Sequence, residues 1–90
     1  MSAATQIKAV AATADITTAN AYLHSVVLTG GSDAATVVVR AGGSGGTVIL
    51  TLKAAINTTA PPAVFGRAYC AAGIHVTVTG TAAAISVEFE

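Results

Sequence analysis

Three sets of residues have types and spacings that invite a chemical reading. The first is the run "VRAGGSGGTVILTLK" (39–53), where four glycines surround Ser44. A phosphate-binding P-loop needs G-x-x-x-x-G-K-[ST] with a helix behind it. Here Gly46 is followed by Thr47 and Val48, so the lysine is missing. The segment that follows is β-branched and alternating, and no helix dipole points at an anion. A dinucleotide fingerprint fails too, because the third glycine would fall on Val48. The reading that remains is a hairpin loop between two paired strands.

The second set is His24 with Ser25, and Cys70 with His75. Adjacent residues of a regular strand point to opposite faces, so His24 is expected to face away from the Ser25 hydroxyl. Cys70 and His75 are five apart, with a glycine turn between them. Zinc sites draw three or four ligands at tight spacing. One cysteine and two distant histidines do not supply them, so no metal site is expected. His75 reads as a solvent-face or interface residue beside Thr77, and His24 as a face or core residue. The third set is Glu88 and Glu90, which share one face of a strand and read as its solvated side. Tyr22 and Tyr69 are the only tyrosines and there is no Trp. Both tyrosines are expected at the core or its margin with a wet hydroxyl. No catalytic, cofactor or metal residues are assigned, and the chain is not expected to be an enzyme.

The elements that must position these residues follow a period of two. "GIHVTVTG" (73–80) sets Ile74, Val76 and Val78 against His75, Thr77 and Thr79. "ISVEFE" (85–90) repeats the alternation, and the small residues between them predict a hairpin. Residues 21–29 read as a strand with both parities partly apolar. "GGSD" (30–33) reads as a turn and 34–41 as a strand led by three valines. In 47–54, Val48, Leu50 and Leu52 are expected on one face. Pro61 and Pro62 predict an irregular connection at an edge or between sheets. Residues 63–70 predict a short strand bulged at Gly66, and 6–12 a weaker one. The sum is an all-β chain of six to eight short strands. It is expected to form a single antiparallel β-sandwich, jelly-roll-like or Ig-like, over residues 21–90. Residues 1–20 are expected to form an N-terminal arm or a first edge strand.

Composition narrows the function classes. Ninety residues make one domain. Alanine fills 21 positions and buries little area, so only 26 side chains are bulky and apolar. A monomer with so thin a core gains from burial against neighbours. Charged residues are 9% of the chain and the net charge is zero. That excludes the basic footprint of a nucleic-acid binder and leaves little repulsion between copies. A lone cysteine allows no internal disulfide. No apolar stretch reads as a signal peptide or a membrane span. Synthesis in a cytosol without export is therefore expected.

Residues 21–90, through "VVLTGGSDAATVVVR", "GGSGGTVILTL" and "GIHVTVTGTAAAISVEFE", resemble small head decoration (cement) proteins of tailed bacteriophages. That resemblance implies a structural virion protein on the outer capsid surface, made in the host cytoplasm. Its partners would be the major capsid protein and copies of itself, as a homo-oligomer such as a trimer, without nucleic acid or membrane. The interface candidates are Ile7, Val10, Gly43, Ser44, Gly45, Pro61 and Pro62. Two other readings are a tail or head–tail connector component and a glycan- or receptor-binding β-sandwich module.

Overall fold

The computed structural model describes residues 5–90. They form eight strands: β1 (Gln6–Val10), β2 (Ala14–Thr17), β3 (Ala21–Thr29), β4 (Ala35–Ala41), β5 (Thr47–Ala54), β6 (Ala63–Cys70), β7 (Ile74–Thr79) and β8 (Ala84–Phe89). Sheet A has the order β1-β8-β3-β6 and sheet B the order β2-β7-β4-β5, each with antiparallel pairs. The inward residues of both sheets make one core. Its fully covered members include Leu23, Val26, Leu28, Val37, Val39, Ile74, Val76, Ile85 and Val87. These are the β-branched and leucine positions that the period of two assigns to one face.

The topology is a hairpin rolled up on itself. β4 pairs with β5, β3 with β6, β2 with β7 and β1 with β8. Rolling brings β3 beside β8 and β4 beside β7, which completes two sheets. This is the jelly-roll arrangement. An Ig sandwich pairs several sequence neighbours within a sheet; among the described residues, β4 and β5 are the only neighbouring strands that pair.

That fact overturns one expectation. Residues 73–90 do not form a paired hairpin: β7 lies in sheet B and β8 in sheet A. The turn between them crosses the sandwich. Alternation reports that each strand has a buried face, but it is blind to whether the two faces lie side by side or opposed. Here Ile74 and Val76 oppose Ile85 and Val87 across the core. The "GGSD" turn crosses from sheet A to sheet B in the same way. The two crossings touch backbone to backbone: a Cβ on Gly31 would fall on the carbonyl oxygens of Thr81 and Ala82.

The remaining departures are bulges. In β5, Val39 opposes Leu50 while the next residue, Arg40, opposes Val48, so Ile49 is the extra residue. Parity flips there: Leu50 and Leu52 pack on the core, while Val48 turns outward and is exposed. Val48 therefore does not share their face, as its spacing had suggested. Of the segment expected as an arm or a first edge strand, residues 5–20 are described, and they contain two edge strands, β1 in sheet A and β2 in sheet B. Lys8 lies opposite buried Val87. Its Nζ reaches the carbonyl oxygens of Asp15 and Ile16 at 3.4 and 3.5 Å, linking the first two strands across the open side of the sandwich. Pro61 and Pro62 lie exposed in the connection from sheet B to sheet A. That connection is anchored by Ala60 N–H donating to Leu28 O at 2.8 Å.

The crossing at Gly31 generates a clear expectation. Gly31→Ala should destabilise the fold by about 1–3 kcal/mol, because only backbone can yield to the added carbon. Gly45→Ala, where a Cβ meets open space, should stay within about 0.5 kcal/mol of the parent. Urea unfolding midpoints of the two variants test the pair.

Candidate functional site

The outer face of sheet A holds the most organised set of side chains, and a bulge in β3 builds it. Leu23 opposes Phe89 of β8 and Ser25 opposes Glu88, so His24 is the extra residue. Burial runs through Ala21 and Leu23 before the bulge and through Val26 and Leu28 after it. Both parities of this strand are apolar for that reason. His24 and Ser25 consequently do not split between core and solvent: both stay partly exposed on the non-core side. The expected opposition of adjacent side chains fails here because a bulge, not a regular strand, holds them. They still make no activated serine pair. Ser25 Oγ donates instead to Glu88 Oε1 at 3.2 Å.

Across the same strand β6 is longer. Leu23 opposes Ala68 and Ser25 opposes Val64, leaving Phe65, Gly66 and Arg67 to loop out opposite His24. Gly66 takes a φ of 75°, a backbone conformation that favours glycine. This is the bulge expected at Gly66. It carries Arg67 back over the sheet, where its guanidinium carbon lies 4.0 Å from the centroid of the Tyr22 ring. Arg67 Nε donates to Glu90 Oε1. Tyr22 and Tyr69 are a cross-strand pair with ring centroids 5.3 Å apart at 53°. Neither joins the core: Tyr69 is 57% exposed, and Tyr22 is partly covered on the outer side. The expected core-margin position fails because Cys70 and Leu23, one residue along, take the inward places.

Glu90 ties this cluster together. Its backbone exchanges two hydrogen bonds with Tyr22, of 2.8 and 2.9 Å, extending the β3–β8 ladder. Its side chain is 9% exposed, with Arg67 on one side and His24 Nε2 at 3.5 Å. That nitrogen is buried without a hydrogen-bond partner. Glu88 and Glu90 thus share a face, but each is engaged by neighbours and is not simply solvated. The hydrogen bond from Arg67 holds the Glu90 carboxyl below its ordinary range; burial opposes this, and the charges of Arg67 and His24 reinforce it.

On sheet B, His75 is 7% exposed and its Nδ1 lies 2.7 Å from Asp15 Oδ1. The solvent-face position expected for His75 gives way to a covered one, because β2 lies alongside and brings Asp15 opposite it. Arg40 flanks it on the other side and donates to Thr77 Oγ1 at 3.2 Å. Cys70 lies in sheet A and His75 in sheet B, so the two do not converge. Cys70 is a free, buried thiol, and burial pushes its pKa up. Among the described residues no group of three His, Cys, Asp or Glu could hold a metal ion.

The interface candidates are scattered. Ile7 is 71% exposed, in line across the sheet with Glu88, Ser25 and Val64, the last of which is 75% exposed. Val10 packs against the core. Ser44 and Gly45 are exposed at the β4–β5 tip, with Gly43 half-covered beside them. The Tyr22–Tyr69 pair and the fold-back of Arg67 were not visible in the spacing. The available signals were the mixed parity of 21–29 and the glycine next to Arg67. Comparison with protein-family models, curated proteins and solved structures finds no match for this chain.

Two solution tests follow from the perturbed groups. A folded-state pKa below the unfolded one stabilises the protein above the unfolded value, near pH 4.3 for a glutamate. That contribution is lost as pH falls through the folded value. Arg67→Ala should therefore flatten the acid limb of stability against pH, read from urea midpoints between about pH 2.5 and 6. Buried Cys70 should react with a thiol reagent at least about a hundredfold more slowly in the native protein than in urea, followed by absorbance.

Proposed function

We propose that the protein is a structural component of a tailed-phage virion, a decoration protein that joins neighbouring major-capsid subunits from the outside. Its mechanism is adhesion through side chains that the fold leaves outside its own core. The observation that carries this reading is the distribution of exposed large apolar residues. Ile7, Val48, Ile56, Val64, Phe65 and Tyr69 lie on β1, β5, β6 and the β5–β6 connection, so both sheets contribute. Ile7, Val64 and Tyr69 share the outer side of sheet A, and exposed apolar groups gathered on one face suit contact with another protein.

Two further features support it. The jelly roll is a fold that viral capsid domains use, though lectin domains and cupins use it as well, so the fold adds weight without deciding the matter. The sheet edges are also blunted. β6 carries a bulge and the exposed Arg67, β5 carries a bulge and Lys53, and Lys8 turns inward at β1. Such edges discourage open-ended strand addition. Assembly then proceeds through faces and loop tips, in a closed oligomer.

Sedimentation of the purified chain, alone and with shells of the major capsid protein from the same genome, tests the reading. The expected result is a discrete oligomer, a trimer in the simplest form. Co-sedimentation should saturate at hundreds of copies per shell. An Ile7→Lys, Val64→Lys double variant, which sets no like charge opposite Glu88, should lose most of that binding while keeping its unfolding free energy within about 1 kcal/mol of the parent. Failure of the parent chain to co-sediment, or saturation near a dozen copies, would overturn it; the latter points to a connector ring.

A further inference from the structure

We propose that Tyr69, Arg67 and Tyr22 on the outer face of sheet A form a binding site for a neutral pyranose ring of a saccharide. Tyr69 supplies a platform. More than half of this side chain faces solvent, and it lies on a strand that also exposes Val64 and Phe65. Its ring has a neighbour beside it: Tyr22, its cross-strand partner, makes a tilted contact at 5.3 Å between ring centroids. A pyranose presents a flat patch of C–H groups, and such a patch covers an aromatic face well.

Arg67 supplies donors beside that platform. Its guanidinium is held between the Tyr22 ring and the Glu90 carboxylate. That clamp uses Nε, and the side chain remains 54% exposed. The two terminal amino groups form a rigid fork, suited to adjacent hydroxyl oxygens of a sugar. The Tyr22 and Tyr69 hydroxyls can each donate or accept next to it. Because the bulge at Gly66 and the Glu90 hydrogen bond already set the arginine's conformation, binding loses less side-chain entropy than a mobile arginine would.

Local charge selects the ligand class. Arg67 and Glu90 cancel, and Glu88 adds a carboxylate two residues along the same strand. An acidic sugar or a nucleotide phosphate would meet no net positive field here. A neutral ring meets donors, acceptors and an aromatic surface without that penalty. This site does not depend on capsid attachment, and it is measured on the free protein.

The test is a titration of the isotope-labelled full chain, followed by NMR. The probes are glucose- and galactose-terminated oligosaccharides, a glucuronate-terminated counterpart and a mononucleotide. A neutral probe should shift the Arg67 Nε–H and Tyr69 ring signals with a Kd on the order of 1 mM. The acidic probe and the nucleotide should bind at least about tenfold more weakly. Tyr69→Ala, at an exposed edge-strand position, should raise that Kd at least about tenfold with the amide dispersion preserved. Thr79→Ala on sheet B should leave it unchanged. No shift with either neutral probe, shifts that persist in Tyr69→Ala, or tighter binding of the acidic probe would each overturn the proposal. The outcome is independent of shell co-sedimentation, so either reading can fail alone.

Discussion

The structure depends on one pairing, that of β4 with β5 across the glycine loop. Every other ladder joins strands that are distant in the chain, and each pair encloses the one before it. The loop must reverse the chain tightly for this nesting to start. A Cβ on Gly46 would strike the carbonyl of Ala41, and Gly46 N–H instead donates to Gly43 O at 3.0 Å. Of the four glycines that raise the thought of a phosphate cradle, Gly42 and Gly43 take positive φ and Gly46 a close backbone approach, and these three shape the tip of the innermost hairpin. Outside that hairpin in the chain lie β3·β6, then β2·β7, then β1·β8, alternating between the two sheets.

The second organising element is the bulge at His24. One inserted residue swaps the buried parity of the central strand of sheet A, so that Leu23 and Val26 both face the core. The cost is a polar pair on the outside that needs partners. Glu88 and Glu90 of β8 supply them, and the longer loop in β6 returns Arg67 to complete the set. A packing requirement inside the sandwich therefore fixes the arrangement of groups on its surface. In sheet B the bulge at Ile49 works similarly, trading an inward Val48 for an inward-leaning Ile49.

Much of the fold was legible in the sequence because alternation is a local signal. The strands at 21–29, 47–54 and 63–70 and the glycine bulge in β6 follow from residue type alone. The class of sandwich follows from strand number and turn spacing. Partnering was not legible, because buried alternation looks the same in a hairpin and in a crossing. Residues 73–90 show this, with two well-patterned strands that end in different sheets. Parity at Val48 and His24 was hidden for a related reason: the bulges there are single extra residues, Ile49 and His24, with no glycine to mark them as Gly66 marks the one in β6. Of the outer cluster, the residues were visible but their meeting was not. Tyr22, Arg67 and Glu90 lie far apart in the chain and come together only through the β6–β3–β8 neighbourhood.

The position of β8 has a consequence for how the chain is made. It is the last strand in order, yet it is inserted between β1 and β3 and supplies Ile85, Val87 and Phe89 to the core. During synthesis β1 has no ladder partner until these residues emerge, and one side of β3 stays open. The nascent protein therefore exposes two unsatisfied strand edges until β8 is made. Nonlocal closure of this kind folds slowly and leaves intermediates open to wrong partners. With 9% charged residues and no net charge, the chain opposes contact between such open edges only weakly. Closing β8 into the slot between β1 and β3 completes sheet A and covers Ile85 and Val87 in one step.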